Sequence, residues 1–305
     1  MPKFDKWLTE ASADDSVAQV ARRALKHRLR AVRHFLEHAE GATWREPEAV
    51  HQLRVWSRRA VAAVQLFWPL LGKCKRRRLK KTLRRLRRLG GDARDNDILL
   101  AALAERETTG ATLHLARQLR QQREAAQKPI DRAKRKLIDR GKLKSDTAKL
   151  LDKLRWRKGR GGEVEPPFGD WVRGQLQPLA DEFFTLGDQD LTNDAALHPL
   201  RIAGKRLRYA LELATTAWPQ LVAGGAYEQL AAMQDRLGKV CDHLASIERL
   251  SELLTNAESD DRSHLEPAID AERKHFALAK RKFVRWWTPA RRRSFRRQWN
   301  KALEL

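Results

Sequence analysis

Two stretches of this chain carry cations in matching places. VHQLRVWSRRAV (50–61) sets out His51, Arg54, Arg58 and Arg59, and LHPLRIAGKRLR (197–208) sets out His198, Arg201, Lys205, Arg206 and Arg208. Guanidinium forks and ammonium groups make charge-assisted hydrogen bonds to phosphate oxygens. Imidazole charges near neutral pH, and an anion beside it favours the protonated form. The chemistry on offer is anion binding, with a pH-sensitive member in each set.

Spacing decides whether these cations act together. On a helix turning 100° per residue, Arg58 falls at about −20° and Arg54 at about −60° from His51, while Leu53, Ala60, Val64 and Phe67 gather between about 160° and 220°. In the second stretch Lys205, Arg201 and Arg208 fall at about −20°, −60° and −80° from His198, with Leu200, Leu207, Leu211 and Ala214 opposite. Trp56, at about 140°, sits with the apolar side. No acidic residue stands within four positions of Arg54 or Arg58, so repulsion along this face is not offset at i, i+4. A solvated face is the plain reading of one such stripe. Two stripes at a fixed interval, each with a histidine, fit an anion seated among the cations. The histidines keep a second reading, as core residues donating to a neighbouring carbonyl.

Further cations surround these. Arg23, His27, Arg30 and His34 are spaced at four, three and four positions, on one helix face, while Lys80, Lys81, Arg84, Arg85, Arg87 and Arg88 crowd the next basic segment. From these, Arg23, His27, Arg30, Arg84 and Arg88 join the candidate anion-binding set. GGDARDND (90–97) is an acidic cluster in a basic neighbourhood. Asp92, Asp95 and Asp97 suggest Mg²⁺, but an EF-hand glycine and distal glutamate are missing. The alternative has Asp95, with Asp242 further on, holding arginine side chains in position. No metal and no cofactor is expected.

The helices that position these groups repeat. Shifting the sequence by 198 − 51 = 147 positions lays His51 on His198, Leu53 on Leu200, Arg54 on Arg201 and Arg59 on Arg206, and continues without a gap to Gly91 on Gly238, Asp95 on Asp242 and Leu103 on Leu250. One offset across two helices indicates a duplicated unit. Apolar residues recur at three and four positions, with only 11 Pro and 16 Gly in 305 residues, which predicts an all-α chain. Helices are expected at roughly 14–40, 46–71, 74–106, 111–157, 168–187, 193–217, 222–256 and 260–287, two sets of four. RKGRGGEVEPPFGD (157–170) breaks the pattern between the sets. The expected organisation is a first bundle at 1–158, a linker at 159–169, a second bundle at 170–287 and a basic tail at 288–305, a short helix or loose arm.

Composition limits the partners. Sixty-three Lys and Arg against 39 Asp and Glu leave a net charge of +24, which calls for a polyanion. No apolar run is long enough to span a bilayer and the first residues lack a signal-peptide pattern, so a cytoplasmic protein without membrane association is expected. Cys74 and Cys241 stand far apart and are expected as small core fillers.

VHQLRVWSRRAV, LGGDARDNDILL, LHPLRIAGKRLRYALEL and LAAMQDRLGKVCDHLA, in that order at duplicate spacing, resemble the CHAD family, the conserved histidine α-helical domain. They look like its two His-x-x-Arg helices and two Gly-x-x-x-Asp helices, over roughly 14–287. The resemblance implies two four-helix bundles related by a pseudo-twofold axis, with a basic cavity between them that binds inorganic polyphosphate. The phosphate-contacting positions it implies are His51, Arg54, Arg58, Arg59, His198, Arg201, Lys205, Arg206 and Arg208. Arginines at 84, 85, 87 and 88 stand where the family usually has apolar or aromatic residues.

Four functions compete. A non-catalytic polyphosphate binder, possible on polyphosphate granules, needs only dense cations. A nucleic-acid binder is the alternative, but zinc-finger, RNP and basic-zipper signatures are missing. An enzyme using His51 or His198 would want a Gly-rich phosphate loop or paired carboxylates for Mg²⁺, and neither pattern is present. A scaffold for an acidic protein partner is the fourth. Oligomeric state is not encoded in any of these features.

Overall fold

The computed structural model describes residues 4–43, 46–104, 110–156, 164–255 and 259–303. Among them the regular structure is helical and no strand element forms. No described helix is long and apolar enough to cross a membrane. The chain divides into two compact units, Met1–Asp5 with Ser16–Pro166 and Lys6–Asp15 with Pro167–Leu305.

The first unit begins with α1 (Val17–His38), which buries Val20, Ala24, Leu25, Val32, Phe35 and Leu36. Against it lies α2 (Glu48–Leu66), burying Leu53, Trp56, Ala60, Ala63 and Val64. These residues are the apolar face reckoned from helical angles, so the opposite cationic face is turned away from this core. A 3-10 turn (Trp68–Leu70) leads into α3 (Lys73–Ala104), which packs on α2 and on α4 (Gly110–Lys134). The helix expected over 111–157 is instead three pieces: α4, a π-helical turn (Arg135–Asp139) and α5 (Lys142–Asp152). Gly141, at φ +62°, makes the break before α5. Its left-handed backbone ends the ladder, and its N–H closes the turn on the Ile138 carbonyl at 2.8 Å.

The second unit is built from α6 (Phe168–Gly187), α7 (Asp194–Ala214), the short α8 (Gln220–Ala223), α9 (Ala226–Thr255), α10 (Ser259–Trp286) and α11 (Pro289–Ala302). Asn193 caps α7 through its side chain, which accepts from the Ala195 N–H at 3.0 Å. Residues Lys6–Asp15 pack here through the Leu8 N–H on the Glu212 carbonyl (3.2 Å) and the Phe168 N–H on the Asp15 carbonyl (2.9 Å). Of the linker expected at 159–169, residues 159–163 lie outside the described residues.

Eleven α-helices, against the eight expected, are present among the described residues. The difference comes from the break at Gly141, the short α8 and the tail. Residues 288–303 fold as α11, capped by Thr288 and anchored by Phe295 and Trp299, both fully buried. Arg292 and Arg296 both reach Asp188, at 3.1 and 3.0 Å. The arginines hid this amphipathic stripe, since a basic run reads as solvated when its buried aromatics are few. Cys241 is buried as expected, but Cys74 is exposed. It lies about 140° around α3 from buried Leu79. Trp299→Ala should remove about 3–5 kcal/mol from the second unit; chemical denaturation followed by tryptophan fluorescence measures the loss, and an effect below about 1 kcal/mol would contradict the anchoring role.

Candidate functional site

Each unit presents a cationic helix next to a glycine-bearing one. In the first unit Arg54 reaches from α2 across to α3, where its Nη1 donates to the carbonyls of Gly90 (3.1 Å) and Gly91 (2.9 Å) and lies 3.4 Å from Asp95 Oδ1. Two consecutive glycines inside a long helix cost about 0.8–1 kcal/mol each relative to alanine. Their placement explains the first of them: a Cβ on Gly90 would come within 2.9 Å of Arg54 Cγ. That carbon sits near the base of the side chain and has little room to give. At Gly91 a Cβ would meet Arg54 Nη1 at 3.8 Å, ordinary contact.

Around Arg54 the cations crowd. His51 is half-buried and its imidazole is held below the ordinary 6.5, first by burial and then by Arg94, with Arg54 and Arg58 adding to the effect and Glu48 opposing it. Burial, and after it Arg58, pull Arg54 down from its usual range while Asp95 opposes. One histidine and three arginines thus form a cluster whose members disfavour each other's charge. An anion among them relieves that repulsion.

The second unit repeats the pairing. Arg201 on α7 places Nη2 2.8 Å from Asp242 Oδ1 on α9, across the same separation of 41 residues as Arg54 and Asp95. Gly238 lies under it, with room for a Cβ at 4.0 Å from Arg201 Nη2. Gln234 Nε2 donates to the Arg201 carbonyl at 3.4 Å, and it can do so because Gly204 has no Cβ, which would fall 2.1 Å from that nitrogen. Cys241 sits beside Arg201, Lys205 and Asp242, with burial the main reason its thiol is raised. The Nε donors of Arg201 and Arg208 are buried and have no hydrogen-bond acceptor among the described residues.

Other candidates are drawn elsewhere. Arg59 lies over the Trp56 ring at 4.8 Å, and Arg206 Nη1 donates to both carboxylate oxygens of Glu182 at 2.7 Å. Both positions stand at about 80° from their histidines, off the stripe. His27 Nε2 lies 2.9 Å from the Asp5 carbonyl and is lowered mainly by burial. Arg23, Arg30, Arg84 and Arg88 are exposed, as is His198, which removes the core-histidine reading there. The acidic cluster disperses: Asp92 and Asp95 are exposed, while Asp97 is buried against Arg123 at 2.8 Å. Arg123 in turn donates to Gln127, so this is an interior polar network.

Arg94 was not among the sequence candidates. It stands four positions after Gly90 and three after Gly91, on the face where Arg54 lands, so helical spacing marks it. The offset of 147 residues does not, because position 94 + 147 = 241 is a cysteine.

A family model described as CHAD domain matches residues 26–251. The crystal structure of the CHAD domain from the plant Ricinus communis superimposes with a TM-score of 0.72 at 20% identity, covering 99% of this chain and 96% of that one. PptA from Streptomyces chartreusis gives 0.58 at 14% identity, covering 90% and 99%. These likenesses establish the fold. No curated protein matches the sequence.

The two glycines should separate in experiment. Gly91→Ala gains helix propensity with space for its methyl and should stabilise the fold by about 0.5–1 kcal/mol. Gly90→Ala should lose that gain to the displaced Arg54 and come out neutral or destabilising in thermal melts. Equal stabilisation by both would show that Arg54 does not need the cleft at Gly90.

Proposed function

The chain belongs to the CHAD domain family, and from that premise we propose that it binds inorganic polyphosphate, without turning it over, through the cationic faces of α2 and α7. The reading is carried by donor capacity that the fold leaves unmet. Asp242 holds one end of the Arg201 guanidinium, yet its Nε and that of Arg208 are buried with no acceptor among the described residues. Arg201 and Arg208 lie within about 20° of each other on α7, so an acceptor-rich ligand on that face would match both. Polyphosphate offers about one negative charge per phosphate and nothing else to read, in keeping with a site made of Arg54, Arg58, Arg94 and His51 in one unit and Arg201, Lys205 and Arg208 in the other.

We take the two sets as copies of one four-helix unit, because the offset of 147 residues carries both the sequence and the Arg–Asp pairing. The protein acts in the cytoplasm, on polyphosphate granules. Nucleic acid is the rival polyanion. Sequence-tolerant binding of single strands relies on exposed aromatic platforms, and no tryptophan among the described residues is exposed. That observation favours polyphosphate.

Long-chain polyphosphate should bind with an affinity that falls by about two orders of magnitude between ~50 and ~200 mM salt, if about five cations release counterions. DNA or RNA of equal charge should displace it poorly, and orthophosphate should not appear with or without Mg²⁺. Equal displacement by nucleic acid, or turnover lost in His51→Ala, would overturn the reading. Arg54→Glu combined with Arg201→Glu should weaken binding well beyond either change alone, and affinity unchanged in the double variant would remove both arginines from the reading.

Proton linkage gives a further check. Free His51 is held below 6.5, and a bound anion raises it, so binding takes up a proton between the two values. Affinity should rise as pH falls from about 7 toward 5, on the order of tenfold for each unit separating free and bound pKa. His51→Gln should flatten the slope. An unchanged slope would remove His51 from the site.

A further inference from the structure

Away from the cationic faces, α9 and α10 bring together His243, Glu272 and His275. His243 Nδ1 lies 2.8 Å from Glu272 Oε2, and the two imidazole rings stand 5.5 Å apart at 48°. One ligand atom from each residue can be chosen so that all lie within 4.8 Å of one another. Glu272 and His275 are three positions apart on α10, which stacks them on one face, and His243 meets them from α9. Glu272 is buried, with only 6% of its surface exposed. Two imidazoles and a buried carboxylate form a borderline donor set that suits Zn²⁺ or Co²⁺ far better than Mg²⁺ or Ca²⁺.

We propose that His243, Glu272 and His275 bind a divalent transition-metal ion of the Zn²⁺ class, clamping α9 to α10. Tetrahedral binding at about 2.0–2.1 Å requires donors about 3.3 Å apart. The His243–Glu272 pair needs only to open slightly from 2.8 Å. His275 is exposed and closes the remaining distance by changing rotamer. The cation takes the place of the hydrogen shared by His243 and Glu272, and the imidazole proton moves to the other ring nitrogen. Three protein donors leave a fourth position for water or an external anion.

The site lies apart from the arginine donors that carry the polyphosphate reading, so the two ideas fail independently. Full-length protein without a histidine tag, titrated with Co²⁺ and Zn²⁺, should bind one equivalent, with a visible d–d spectrum for Co²⁺ and a raised melting temperature. His275→Gln, an exposed change, should weaken binding by about tenfold or more and collapse the Co²⁺ spectrum, and Glu272→Gln should do the same. Far-UV circular dichroism confirms folding of each variant. Absence of the d–d band in folded protein, or Co²⁺ binding that both variants retain, would overturn the assignment.

Discussion

The arginine that crosses from a cationic helix to a neighbouring glycine-bearing one is the constraint from which the rest of each site follows. Arg54 loses much of its hydration and is pulled down by that burial. It remains charged because two backbone carbonyls and Asp95 accept from it. Gly90 is needed because a methyl there would strike the arginine stem. The helix gives up propensity at that position so that a guanidinium can be fixed in place. Pre-fixing matters for a flexible side chain, since rotamer freedom lost before binding is not lost again on binding.

Carboxylates in this protein divide by depth. Asp97, Arg123 and Gln127 make an interior network with its charges matched, and removing one partner there would strand the other. Asp95 and Asp242 are exposed and each engages one arm of an arginine, leaving the cation's field open on the other side. Buried matched pairs thus organise the fold, while half-matched surface pairs aim charge outward. With a net charge of +24 the protein carries self-repulsion throughout, and that repulsion favours whatever anion reduces it.

Much of this was legible in the sequence because it rests on periodicity. The opposed faces of α2 follow from residue angles, and Leu53, Ala60 and Val64 are buried where those angles place them. The Arg54–Asp95 and Arg201–Asp242 pairs share a separation that the offset of 147 residues exposes. The π-helical turn and α5 were not legible, since a single glycine in an otherwise helical pattern gives no sign that it will take φ +62°. Arg59 and Arg206 match in register, yet their ends are settled by Trp56 and Glu182, partners that repeat analysis does not weigh. Arg94 was missed for the opposite reason, because the offset of 147 residues lands on Cys241.

The same offset pairs unlike surroundings for the two histidines. Where the first unit has Arg94 beside a half-buried His51, the second has a buried Cys241 and an exposed His198. Arg94 beside His51 lowers the basicity of that imidazole. The second unit adds cationic charge at Arg208, where the first has Val61, and a guanidinium holds its proton at any physiological pH. Positions related by the offset of 147 residues therefore differ in kind: one face sets Arg94 against a half-buried imidazole, and the other sets Arg201 and Arg208 beside a buried cysteine.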